Sequence, residues 1–216
     1  MQLLGYYGSD ETHACSAWTS TSRELNPEKT KRIPAMLKEL ASHGHHTPFE
    51  KSSLHFLIDT DIATHIQLLK HRIGVSVNAE SARYKELKED KFYVPEDWKD
   101  IPVSYEGLHS NFGKDWQSAL DAYNKIGNVL YHAAMKDLEP VLGRKRAKES
   151  ARFFKPYSSQ ITSDVMFNFR SFVHFLGLRN KPESQKEIQE LASMMLELVR
   201  ALPKEPFKET LKAFNL

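Results

Sequence analysis

The segment Gln67–Tyr84, QLLKHRIGVSVNAESARY, carries the densest run of residues able to do chemistry. Lys70, His71 and Arg72 precede a polar stretch with Ser76, Asn78 and Ser81, and Arg83 follows. Arginine meets phosphate oxygens two at a time, so this group could bind a phosphorylated ligand. Cations in the last turn of a helix also complement its dipole, and spacing alone leaves both readings open. A second group lies in Asn168–Arg179, NFRSFVHFLGLR. Arg179 falls three and four residues after Leu176 and Phe175, on an apolar face where an unpaired charge is costly. A carboxylate is the usual partner. Asn168, Arg170 and His174 could meet a polar ligand, and Arg152 in ARFFKP is likewise set among aromatics.

Other patterns carry less. His43, His45 and His46 form the one histidine cluster, but one loop rarely supplies a whole zinc sphere and no cysteine joins them, so no metal is expected. The chain lacks GxGxxG, a P-loop and GxSxG, against a Rossmann nucleotide site, Walker-type phosphoryl transfer and α/β-hydrolase chemistry. Cys15, the single cysteine, has no flanking Arg or Lys to activate it and cannot form an internal disulfide, which fits a reducing cytoplasm.

Elements must position these groups. Asn26-Pro27-Glu28 reads as a helix start, with Ile33, Leu37, Leu40 and Ala41 as its stripe, Pro34 as a delay and Gly44 as its stop. Leu54, Phe56 and Ile58 alternate as a strand. Asp59-Thr60-Asp61 offers caps for a helix to about Arg72, with Ile62, Ala63, Ile66 and Leu69 buried. Ile73–Glu80 shows no period and reads as a loop. A long helix is expected over 116–138, with Trp116, Ala119, Leu120, Tyr123, Ile126, Leu130 and Ala134 on one side. Another starts near Arg144 and ends before Pro156. A strand over 159–167, a helix to Leu178, a helix opened by Pro182-Glu183 and a short one after Pro206 complete a mixed α/β (α+β) chain. No linker or repeat divides its 216 residues, so one domain is expected.

Composition narrows the classes. At 40% apolar and 27% charged residues the chain can build a packed core. A net charge of +2 is too balanced for a broad nucleic-acid-binding face. No apolar run suits a membrane helix, and MQLLGYYGSDETH lacks a signal-peptide pattern, so a cytoplasmic protein is expected.

Taken together, these segments resemble the flavin-dependent thymidylate synthases. That family is marked by an Arg-His-Arg triplet, seven spacer residues and Ser, with Arg-Tyr shortly after; here the run is Lys70-His71-Arg72 … Ser81-Ala82-Arg83-Tyr84. Thr47-Pro48-Phe49-Glu50 is similar to its T-P-x-E segment, Arg152 to its A-R-x-x-x-P segment, and Asn168-x-Arg170 … Leu178-Arg179 to its closing segment, with Glu187-Ile188 in the helix beyond. The resemblance implies a central sheet with flanking helices and a homotetramer whose sites are shared between subunits. It implies FAD, dUMP, methylenetetrahydrofolate and NADPH, and reductive methylation of dUMP to dTMP. It implies dUMP at Gln67, Lys70, Glu80, Ser81, Ala82, Arg83 and Arg152, with Arg83 and Arg152 on the phosphate and Arg179 as the catalytic arginine on the uracil ring. Thr47, Lys70, His71, Arg72, Asn168, Arg170 and His174 would hold FAD. Two departures stand out: Lys70 replaces the first arginine, and eight residues separate Arg72 from Ser81. They read either as neutral drift or as a mark of altered chemistry, such as a hydroxymethyl product. A non-catalytic FAD- or nucleotide-binding homologue is the remaining alternative.

Overall fold

The structure, a computed structural model, describes residues 1–104 and 112–216. Its elements in order are β1 (Gln2–Tyr7), α1 (Asp10–Trp18), α2 (Pro27–Ser42), a 3-10 turn (Thr47–Glu50), β2 (Ser53–Asp61), α3 (Ile62–Leu68), β3 (Val75–Ala79), a 3-10 turn (Glu96–Trp98), α4 (Trp116–Ala151), a 3-10 turn (Arg152–Phe154), β4 (Gln160–Asn168), α5 (Phe169–Arg179), α6 (Lys186–Arg200) and α7 (Lys208–Ala213). The strands form a sheet in the order β1-β2-β4-β3, which fits the expected α/β class. The chain divides into two compact units: Met1–Ile58 with Gln67–Asn78 and Asp164–Leu216, and Asp59–Ile66 with Ala79–Ser163.

In the first unit the core follows strand alternation. Leu54, Phe56 and Ile58 on β2 and Val165 and Phe167 on β4 are fully buried, beneath Phe169, Phe172 and Phe175 of α5 and Ile188, Ala192 and Met195 of α6. Phe56 stacks on Phe172 at 5.8 Å between centroids. A second cluster joins Ala14 and Trp18 of α1, Ile33 and Leu37 of α2, and Phe49. The Asn26 side chain caps α2 by accepting from the Lys29 N–H at 2.8 Å. The second unit has its own small core of Tyr131, Met135, Ala147 and Ala151.

Several sequence expectations are corrected. Residues 73–80 hold β3, not a loop: the Asn168 N–H donates to the Gly74 carbonyl and the Glu80 N–H to the Thr162 carbonyl, both at 2.9 Å, so β3 and β4 run antiparallel. Five alternating residues are too few to announce a strand that long-range pairing creates. α3 stops at Leu68 instead of reaching Arg72, so Lys70, His71 and Arg72 lie in the turns beyond it. Its buried residues are Thr64, His65 and Leu68, whereas Ile66 and Leu69 are exposed. Pro34 does not delay α2, and α6 starts after Pro182-Glu183, at Lys186. By contrast, the two helices expected on either side of Gly143 are both present, since α4 leaves helical geometry there at φ +77°. On α4 the expected apolar stripe is largely outside. Trp116, Tyr123, Ile126 and Leu130 are exposed, while Ala119, Asn124, Gly127, Asn128, Tyr131 and Met135 are buried.

One buried polar chain ties the two ends of the first unit together. The Thr210 hydroxyl donates to Asp10 at 2.6 Å, so it must accept from His13 Nδ1 at 2.9 Å. His13 Nε2 therefore accepts from the Ser52 hydroxyl at 2.7 Å. Burial pushes His13 down to about 4, while Asp10 is raised, chiefly by its own burial. Because unfolded His13 binds its proton near 6.5, its share of stability is complete above that pH and is lost as pH falls toward 4. The Asp10 shift has the opposite sign and offsets part of this. His13→Gln should lower the melting temperature at pH 7.5 yet flatten its decline to pH 5, removing a pH-dependent share of about 2 kcal/mol. An unchanged slope would show that His13 titrates normally.

Candidate active site

In the first unit, Lys70, His71, Arg72, Asn168, Arg170, His174 and Arg179 come from two stretches that the β3–β4 pairing aligns. Gly74 is where they meet. Its φ is +65°, and a Cβ there would lie 2.2 Å from Asn168 Nδ2 and 2.4 Å from Ser171 Oγ. The Asn168 Oδ1 caps α5 by accepting from the Ser171 N–H at 2.8 Å, and the Ser171 hydroxyl donates to the Ile73 carbonyl at 2.7 Å. The cap of α5 and the turn after α3 are thus one construction.

That construction brings His71 onto α5. The His71 ring lies 4.9 Å from Phe175 and 6.5 Å from His174, centroid to centroid, and the Arg179 Nε–H donates to His71 Nε2 at 3.0 Å. The carboxylate expected for Arg179 is replaced by an imidazole. His71 is buried, and burial first, then the neighbouring Arg179 and His174, depress it to about 4. It is neutral at pH 7, and since Nε2 accepts, its proton resides on Nδ1. The Arg179 charge is therefore held in place but not cancelled. Its Nη groups make no hydrogen bond among the described residues.

The neighbouring residues differ in how far they are committed. Arg170 pairs with Glu50 of the Thr47–Glu50 turn, a partner that sequence reasoning quoted only as part of a motif. Gln67 Nε2 donates to Gln185. Lys70, Arg72, Thr47 and His174 are exposed, and Lys70 and Arg72 make no ion pair among the described residues. The His43, His45 and His46 cluster gathers no metal set; no group of three or more potential ligand side chains occurs among the described residues. An acceptor-rich, anionic cofactor suits this set: two exposed cations and one guanidinium have donors to spare.

The second unit holds Glu80, Ser81, Ala82, Arg83 and Arg152. Glu80 accepts from Lys85 Nζ at 2.7 Å and from the Thr162 N–H at 3.0 Å, so its carboxylate is occupied within the protein. Bonds from Lys85 and Thr162 outweigh burial and hold it below the usual carboxylate range. Ser81 Oγ accepts from the Arg83 N–H at 3.3 Å and the Ser81 carbonyl from Tyr84 and Lys85, forming a turn. Ala82 is half-buried there. The Arg83 Nε–H donates to Glu149 at 3.2 Å, a partner the sequence did not flag. Arg152 is exposed at the end of α4.

Comparison with known proteins decides the family. The model of the thymidylate synthase complementing protein family, Thy1, matches residues 2–203. The chain belongs to this family. A flavin-dependent thymidylate synthase of Thermosipho africanus is 34% identical over 89% of this chain and 82% of its own. That of Thermosipho melanesiensis is 31% identical over 100% and 91%. Among solved structures, the UMP/dUMP methylase PolB of Streptomyces cacaoi bound with 5-Br dUMP superposes with a TM-score of 0.76 at 25% identity, over 99% of this chain and 93% of that one. This chain is an enzyme of the flavin-dependent thymidylate synthase type. No helix among the described residues is long and apolar enough to cross a membrane.

The hydrogen bond between Arg179 and His71 gives a direct check. In the wild type the His71 imidazole should titrate near 4 by NMR. In Arg179→Ala it should move up toward 6.5, since one of the charges depressing it is gone. A wild-type value near 6.5 would mean that the imidazole is solvated and does not hold the arginine.

Proposed function

We propose that this protein methylates dUMP to dTMP in the cytoplasm, with FAD, methylenetetrahydrofolate as carbon donor and NADPH as reductant. The observation that carries the reading is Arg179, whose charge is fixed by a neutral imidazole and left available to a ligand. Membership of the Thy1 family supplies the chemical class. The flavin-dependent relatives support the cofactor, and PolB, solved with 5-Br dUMP, supports the substrate.

Each residue then has a task. Arg83 and Arg152 take the nucleotide phosphate through their planar forks. Gln67, Lys70, Ser81 and Ala82 complete the nucleotide contacts, and Glu80 sets the start of that segment through Lys85 and Thr162. Arg179 meets the uracil near N3 and O4 and stabilises negative charge developing there. Thr47, Lys70, His71, Arg72, Asn168, Arg170 and His174 hold FAD, with Asn168 acting through the α5 cap. Reduced flavin supplies the electrons and the folate supplies the carbon. The protein's work is orientation and charge placement. Cys15, on α1 and outside every matched segment, has no part. A homotetramer is proposed as well, because Trp116, Tyr123, Ile126, Val129 and Leu130 expose an apolar stretch of α4.

The product separates the readings. Mass analysis of the nucleotide formed from dUMP, with each component omitted in turn, should show dTMP only when all are present. Hydroxymethyl-dUMP would keep the substrate and change the reaction; unchanged dUMP from flavin-bound protein would leave a binding-only homologue. UMP belongs in the same assay, since PolB is named for both nucleotides. Arg179→Ala should retain FAD and lose turnover by about a hundredfold or more. Lys70→Arg should retain activity if the lysine is a tolerated replacement; weaker dUMP binding would show that the longer spacer has moved it.

A further inference from the structure

Residues 84–93 form a strap along α4 and the turn after it, every tie lying within the second unit. Lys148 Nζ donates to the Tyr84 carbonyl at 2.9 Å, and Arg144 pairs with Glu86 at 3.1 Å. The Leu87 N–H donates to the hydroxyl of buried Tyr131 at 3.0 Å. The Gln160 N–H donates to the Lys91 carbonyl at 3.0 Å and the Tyr93 N–H to the Ser158 carbonyl at 2.8 Å. The strap begins one residue after Arg83 and docks beside the Arg152 turn.

Most of its ion pairs are exposed and hold little. Lys155 differs. Its side chain is only 5% exposed, and its ammonium donates to Asp90 at 2.9 Å and to Asn128 Oδ1 at 2.7 Å. It also lies 4.5 Å from the centroid of the Tyr131 ring. Asp90 accepts from His132 as well. Burial works to raise the Asp90 carboxyl, and the bonds from Lys155 and His132 outweigh it and keep it below its usual range. A sequestered ammonium needs its acceptors, so the strap cannot leave this point without stranding a charge. Through its backbone the same residue is rooted in the Arg152 turn, its N–H donating to the Arg152 carbonyl at 3.1 Å.

We propose that Lys155 is a positioning residue for the nucleotide phosphate. Through Asp90 and Asn128 its ammonium locks the strap to α4, so that Arg83 at the strap's start and Arg152 in the adjoining turn share one rigid support. The inference rests on the reading that this protein binds dUMP.

The test compares dUMP with deoxyuridine, which lacks the phosphate, on FAD-loaded protein. Lys155→Met keeps an apolar stem over Tyr131, and half-exposed Asp90 can turn to water, so the fold should survive. dUMP binding should weaken about tenfold, the worth of one charge-assisted hydrogen bond. Deoxyuridine binding, FAD content and kcat at saturating dUMP should stay within about twofold of wild type on the same scale. Asp90→Asn should act in the same direction, and it stands in if Lys155→Met does not fold. Equal weakening of both ligands, or a lower melting temperature with dUMP binding intact, would reduce Lys155 to a purely structural role and overturn the proposal. Wild-type protein that binds deoxyuridine and dUMP equally would refute the phosphate site itself; wild-type protein that binds neither would refute the dUMP reading.

Discussion

The single bond from Arg179 to His71 fixes the direction of the Arg179 guanidinium in the first unit. Had a carboxylate held this arginine, an attraction of about 4 kcal/mol at 4 Å and an effective dielectric near 20 would have to be displaced by any ligand seeking the charge. A neutral imidazole fixes the direction of the guanidinium without that competition. The arrangement depends on His71 remaining uncharged, which its burial first and then the neighbouring Arg179 enforce. Arg179 thus contributes to the condition that keeps its own charge available.

That bond depends on the scaffold. β3 must pair with β4 for residues 70–74 to reach α5, and Gly74 must lack a side chain for Asn168 and Ser171 to close the turn. Beneath them the aromatic core of Phe56, Phe167, Phe172 and Phe175 holds α5 against the sheet. The second unit follows another logic, with Arg83 and Arg152 supported by a strap and a helix around one buried lysine.

Much of this was legible in the sequence where local physics decides. The Asn26-Pro27 start, the alternating Leu54, Phe56 and Ile58, and the helix leading to Arg179 all follow from caps and periodicity. The family was legible too, because several short segments recur in order. β3 was not, since its five residues become a strand only through β4. The outward direction of the α4 apolar side was not legible, because periodicity groups residues on a face without saying what that face meets. The partner of Arg179 was missed for a related reason. Sequence shows that a buried cation needs an acceptor, but His71 lies 108 positions away and only the folded sheet joins them. The structural employment of Glu80 was equally hidden, being settled by Lys85 and Thr162.

The decisive measurement is turnover of dUMP per bound FAD in His71→Glu, a substitution that still offers Arg179 an acceptor but supplies a counter-charge. If an uncancelled arginine charge is the working feature of the site, turnover should fall about a hundredfold or more although the arginine remains held. Turnover at the wild-type rate would contradict this, and would show that Arg179 needs only to be fixed in place.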